Sequence, residues 1–135
     1  MGKKKVVIDT NILISALGWK GNPNEIFIRV LEGEFELIIS QKQIEELREV
    51  MNYTRFSFTE EQKSRFITLL LDVAKVVEVS GKLKVIKEDP DDDIILETAI
   101  ENNADFIISG DDHLLKLKEY SNIKIVTANE FLSQI

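Results

Sequence analysis

Four short segments rich in valine, isoleucine, leucine and phenylalanine constrain the fold of this chain more than any other feature: Lys3 to Ile8, Phe35 to Ile39, Phe106 to Ile108 and Ile123 to Val126. Successive strand side chains point to opposite faces, so consecutive apolar residues such as Val6-Val7-Ile8, Leu37-Ile38-Ile39 and Phe106-Ile107-Ile108 suit strands buried on both sides. Val76 to Val79 and Leu83 to Ile86 supply a weaker pair of the same character. Helical patterns separate the runs at Asn24 to Leu31, Gln41 to Tyr53, Thr59 to Val73, Asp91 to Asn102 and Asn129 to Leu132. Thr59 followed three residues later by Gln62 suits a capping box. Strands alternating with helices imply the α/β class, as a three-layer α/β/α sandwich with a mostly parallel central sheet. No repeat, low-complexity tract or linker divides residues 1–135, and a hydrophobic share of 44% suffices for one core, so a single domain is expected.

In such sheets the binding crevice lies beyond the carboxyl ends of the strands, and the residues there become the candidates. Asp9 follows the first strand in Val-Val-Ile-Asp-Thr-Asn, and Asp111 follows the strand at Phe106 in Ser-Gly-Asp-Asp-His. Both positions equally suit turns or helix caps, and either Asp111 or Asp112 could join Asp9 along one edge. The run Glu88-Asp89-Pro90-Asp91-Asp92-Asp93 precedes a helix, where capping and the helix dipole account for one or two acids. At about 100° per residue, Ile95, Leu96, Ala99 and Ile100 form an apolar stripe with Asp92 near its centre and Asp91 and Asp93 to either side. An inward carboxylate is costly unless a cation or hydrogen bonds satisfy it, which singles out Asp92. In Gln41 to Tyr53 the stripe is Ile44, Leu47, Val50 and Met51; Glu46 borders it, while Glu45 and Glu49 turn to solvent. The paired acids of aspartyl-phosphate phosphatases are absent because the second position is Asn11, and a phosphoacceptor receiver domain is disfavoured for the same reason.

The inventory narrows the metal chemistry. There is no cysteine and His113 is the single histidine, which excludes disulfides, thiolate zinc sites and multi-histidine sites. A metal here is held mainly by oxygen, so Mg2+ or Mn2+ is the expected cofactor. The cysteine-free composition is compatible with the cytoplasm, and no apolar run approaches the ~18 residues of a membrane span, so a soluble cytoplasmic protein without membrane association is expected. A net charge of −7 argues against binding nucleic acid by bulk charge, yet a nuclease working through bound cations also concentrates acids at its centre. Lys3 to Lys5, Arg48, Arg55, Lys63 and Arg65 could contact phosphates, and Tyr53, Phe56 or Trp19 could stack on unpaired bases. Solvated and packing roles suit most of these individually.

Taken in order, the acid-bearing segments resemble the PIN-domain nuclease family, and within it the VapC-type toxins of toxin–antitoxin operons and their close relatives. The matching pieces are Val7 to Ala16, Ile39 and Ser40 with Glu46 and Leu47, Asp89 to Ala99, Ile108 to Asp111, and the closing Ile125 to Leu132. Together they cover nearly the whole chain. The resemblance implies a PIN-like fold and a divalent-metal-dependent endoribonuclease with Asp9, Glu46, Asp92 and Asp111 as catalytic and metal-holding acids. By the same resemblance Asn11 and Ser109 are supporting polar neighbours, Asp91, Asp93 and Asp112 less favoured alternatives, and His113 a departure where relatives often carry an acid. Asp9, Asp92 and Asp111 would hold the principal ion, and Glu46 a second ion or the attacking water. Implied partners are an RNA substrate, an antitoxin protein and a second copy in a homodimer. The alternative is a PIN-like RNA-binding or scaffold module, or a ribosomal-RNA processing factor, with a weak or inactive site. Retention of all four acids disfavours an inactive module.

Overall fold

In the computed structural model, which describes residues 2–86 and 90–135, the strands are β1 (Lys4–Ile8), β2 (Phe35–Ser40), β3 (Lys75–Val77), β4 (Phe106–Ile108), β5 (Glu119–Tyr120) and β6 (Ile123–Val126). They form one sheet ordered β3-β2-β1-β4-β6-β5. Every pairing is parallel except that of β5 with β6. The helices are α1 (Thr10–Gly18), α2 (Asn22–Leu31), α3 (Gln41–Met51), α4 (Glu60–Val73), α5 (Pro90–Glu101), α6 (Asp112–Leu115) and α7 (Ala128–Ser133), with a 3-10 turn at Thr54–Phe56.

The consecutive apolar residues are explained by two separate cores. Val6, Ile8, Leu37, Ile39, Phe106 and Ile108 pack on one side of the sheet, with α1, α2, α3, α4 and α7 over them. Val7, Ile38 and Ile107, the alternate positions, pack on the other side under α5 and α6. Burying each such side chain contributes about 1.5–3 kcal/mol, so the central strands are fixed from both faces. The architecture is the expected three-layer, mostly parallel α/β sandwich.

The structure adds a helix over a stretch that was given no element above, and it removes one expected strand. Ile12 to Leu17 lies within α1, where Leu13, Ile14 and Ala16 are buried and Ile12 and Leu17 pack against the same core. Leu83 to Ile86 forms no strand. Its backbone is satisfied by a side chain instead: Asp93 Oδ1 accepts from the amides of Val85 at 2.9 Å and Ile86 at 2.8 Å. One turn along α5, Glu97 accepts from the Ser80 hydroxyl and from the amides of Gly81 and Lys82. Residues 80–86 are thereby strapped to α5 by two acids. The short strand β5 was not expected either, whereas the Thr59–Gln62 capping box is present at the start of α4.

The strand-to-helix joints position the site. β1 passes through Asp9 into α1 and β2 passes through Ser40 into α3, each joint residue accepting a hydrogen bond from the new helix. Gln43 ties the two joints together by donating Nε2 to the Ile8 carbonyl at 2.5 Å. Helix N-termini therefore gather at the carboxyl edge of the sheet, where their dipoles favour negative charge. No described helix is long and apolar enough to cross a membrane.

Candidate active site

A cleft of about 270 Å³ opens at this edge, and Asp9, Glu46, Asp91, Asp92 and Asp111 line it together with Asn11. The four acids Asp9, Glu46, Asp92 and Asp111 come from four different places in the fold. Asp9 ends β1, Glu46 stands in mid-α3, Asp92 opens α5, and Asp111 follows β4. Asp9, Glu46 and Asp111 meet here because β1 lies between β2 and β4 in the sheet, and α5, packed across β1 and β2, brings Asp92 to them.

Asp9 is 7% exposed and serves two purposes. Its Oδ1 caps α1 by accepting from the Ile12 amide at 2.9 Å, and its Oδ2 accepts from the Ser109 hydroxyl. Burial pushes the carboxyl above its ordinary value of 3.8, hydrogen bonds from Ser109, Ile12 and Gly110 pull it partly back, and the charge of Asp111 adds to the upward push. A buried acid shifted by desolvation in a cleft is a mark of functional sites. Ser109, fully buried, also accepts from the Asp111 amide at 2.9 Å, so one hydroxyl positions both acids. Asp111 in turn caps α6 by accepting from the His113 amide at 2.8 Å.

Asp92 is 7% exposed and faces the cleft, as the helical phase requires. Asp91 is exposed on the cleft wall. Asp93 is buried and turned to the 80–86 loop, where its hydrogen bonds lie. Asp112 is exposed at the start of α6 and does not line the cleft. Glu88 and Asp89 lie outside the described residues. Glu46 accepts from the Thr10 hydroxyl, which joins α3 to the first turn of α1.

His113, the single histidine, stands beside two of the four acids. Its Nδ1 lies 3.5 Å from Asp111 Oδ1 and 4.0 Å from Asp92 Oδ2, buried and with no hydrogen-bond partner among the described residues. Asp92, Asp111 and His113 each offer a ligand atom, and the three atoms lie within 4.8 Å of one another. The remaining donors of the cleft are carboxylate oxygens, which suit a hard divalent cation. The residues present therefore fit such an ion, with His113 rather than Asp9 as the third member of the tightest group. Thr10 was not singled out beforehand; only the tertiary fold brings its hydroxyl to Glu46.

Comparison with known proteins gives the family and the fold. Residues 5–113 match the family model of the PIN domain, a span that holds all four acids. An uncharacterized protein of Methanocaldococcus jannaschii is 29% identical over 147 aligned positions, covering 98% of this chain and 92% of that protein. A chain in the crystal structure of VapBC2 from Rickettsia felis, bound to a DNA fragment from their promoter, superposes with a TM-score of 0.62. It is 17% identical, over 90% of this chain and 96% of that one, a likeness of fold. With the family model spanning most of the sequence, this chain belongs to the PIN-domain nuclease family.

Proposed function

We propose that this protein is a divalent-metal-dependent endoribonuclease using Mg2+ or Mn2+, with Asp9, Glu46, Asp92 and Asp111 as its catalytic acids. The observation that carries this reading is the convergence of four acids from separate elements in one cleft at the carboxyl edge of a parallel sheet. Asp92, Asp111 and His113, with Asp9 beside them, would hold the principal cation. Such an ion supplies acidification of water and neutralisation of charge developing on the phosphate and the leaving oxygen.

The chain's own residues do the rest. Ser109 ties the Asp9 carboxylate to the main chain of Asp111, which sets the spacing of the two residues. Glu46, steadied by Thr10, would accept a hydrogen from the attacking water and aim it at phosphorus. The N-termini of α1 and α6, capped by Asp9 and Asp111, offset part of the repulsion among the acids. Asn11, exposed in the first turn of α1, would orient a substrate phosphate or water from the cleft wall.

We further propose that the chain acts as the toxin half of a toxin–antitoxin pair in the cytoplasm, as a homodimer whose acidic cleft the antitoxin blocks. The similarity of fold to a chain of VapBC2 supports this role. The test of the enzyme reading is incubation with a panel of RNAs in Mg2+ or Mn2+, set against EDTA. Cleavage that needs the ion and is lost in Asp92→Asn supports it; cleavage that persists in EDTA contradicts it.

A further inference from the structure

The cleft presents five acids to a substrate that is itself a polyanion, and among the described residues its lining includes one cation, Arg55. Arg55 forms no ion pair with any described residue. It is held by rings instead: its guanidinium carbon lies 4.8 Å from the centre of Phe56 and 5.5 Å from that of Tyr53. Cation–π contacts fix the direction of an arginine while leaving its N–H donors open.

The turn that carries these residues is pinned from behind. Phe56 and Phe58 stack at 5.6 Å, Trp19 packs against them at 5.9 and 5.8 Å, and Phe66 of α4 meets Phe58 edge-on at 5.4 Å. Gly18 permits this approach, since a Cβ there would lie 3.1 Å from the Phe58 ring. Tyr53 is left on the cleft side of this block, 47% exposed and lining the cleft with Arg55. A large exposed aromatic beside an unpaired arginine, on a rigid turn at the mouth of a phosphodiester-cleaving site, combines the two contacts that unpaired nucleic acid accepts.

We propose that Arg55 and Tyr53 form a clamp for single-stranded RNA: Arg55 binds a backbone phosphate beside the scissile one, and Tyr53 stacks on an adjacent unpaired base. Bases held in a duplex are not free to stack on the ring, so the clamp selects single strands. Arg48, Lys63 and Arg65 stand away from this cleft. The proposal rests on the ribonuclease reading above.

The test measures kcat and KM on a fluorescein-labelled single-stranded RNA and on its duplex, between about 50 and 200 mM KCl. Tyr53→Ala should raise KM for the single strand roughly 5- to 140-fold, the span of a lost base–aromatic stack, with kcat nearly unchanged. Tyr53→Phe should restore it. Arg55→Ala should raise KM and lower the slope of log KM against log salt by about 0.7, the contribution of one phosphate contact on a single strand. Arg65→Ala, on an exposed arginine of α4, should change neither. An unchanged KM in Tyr53→Ala, or an unchanged slope in Arg55→Ala, overturns the clamp while wild-type cleavage keeps the ribonuclease reading intact. If the wild type cleaves no RNA, that reading fails on its own. The clamp is then decided by the Kd of the same labelled strand: the same fold-changes support it, and equal or absent binding overturns it.

Discussion

Ser109→Ala probes the hydroxyl that joins two of the four acids. The side chain is fully buried, donates to Asp9 Oδ2 and accepts from the Asp111 amide at 2.9 Å. Losing the bond to the carboxylate costs about 1.5–3 kcal/mol, and losing the amide bond about 0.5–1.5 kcal/mol. Together about 2–4.5 kcal/mol of folding stability should disappear, a shift of roughly 1–2 M in the urea midpoint for a slope of ~2 kcal/mol/M. In an Asp9→Ala background only the amide bond remains to be lost, so the same substitution should cost about 0.5–1.5 kcal/mol. The assay is urea unfolding of the four proteins at neutral pH in EDTA, read as a double-mutant cycle. Equal costs in the two backgrounds, within about 0.5 kcal/mol, would refute the reasoning that Ser109 acts through Asp9.

Asp93→Ala should remove the acceptor for the Val85 and Ile86 amides and lower stability by about 2–3 kcal/mol in urea unfolding. Any cleavage activity should survive in the folded fraction, because Asp93 faces the loop rather than the cleft. Burial pushes the Glu97 carboxyl up, but hydrogen bonds from Ser80, Lys82 and Gly81, and from Glu101 while that carboxyl keeps its proton, hold it below the ordinary value of 4.5, and Glu101 is raised in return. The stabilising contribution of Glu97 is then fully present above that value and is lost as pH falls through the folded-state pKa. The Tm gap between wild type and Glu97→Gln should accordingly be widest above pH 4.5 and close in stronger acid. Mg2+ or Mn2+ at about a hundred times its Kd should stabilise the wild type by about 2.7 kcal/mol, seen as a rise in Tm that EDTA reverses. His113→Ala should need more ion for the same rise.

The four main strands were legible because a parallel sheet covered on both sides writes itself as consecutive apolar residues, as in Val6-Val7-Ile8, Leu37-Ile38-Ile39 and Phe106-Ile107-Ile108. The same burial hid α1: Ile12 to Leu17 has little polar face, so its helical period does not stand out, and Asp9, Thr10 and Asn11 read equally well as a turn. The segment at Leu83 was misread because its amides bond to the Asp93 side chain, a partner that strand periodicity does not encode. At the site, capping and active-site roles for Asp9 and Asp111 looked like alternatives; in the structure each carboxylate caps its helix and also lines the cleft. Asp92 could be placed from helical phase, whereas Glu46 sits beside Asp9 only because β2 and β1 are neighbours. Thr10 meets Glu46 only through tertiary packing, and no local pattern marks it; Tyr53 and Arg55 were among several candidates for base and phosphate contacts, and only the fold sets them at the cleft apart from Arg48, Lys63 and Arg65.

The central claim is that the acid cluster carries metal-dependent hydrolysis of RNA. Its most direct test is the single-turnover cleavage rate of one RNA by wild type, Asp9→Asn and Asp92→Asn, each shown to be folded and each supplied with Mn2+ or Mg2+. A fall of at least about a hundredfold in both variants, matching the loss of a transition-state contact worth ~2.7 kcal/mol, is expected. Cleavage by either variant at the wild-type rate would contradict the assignment.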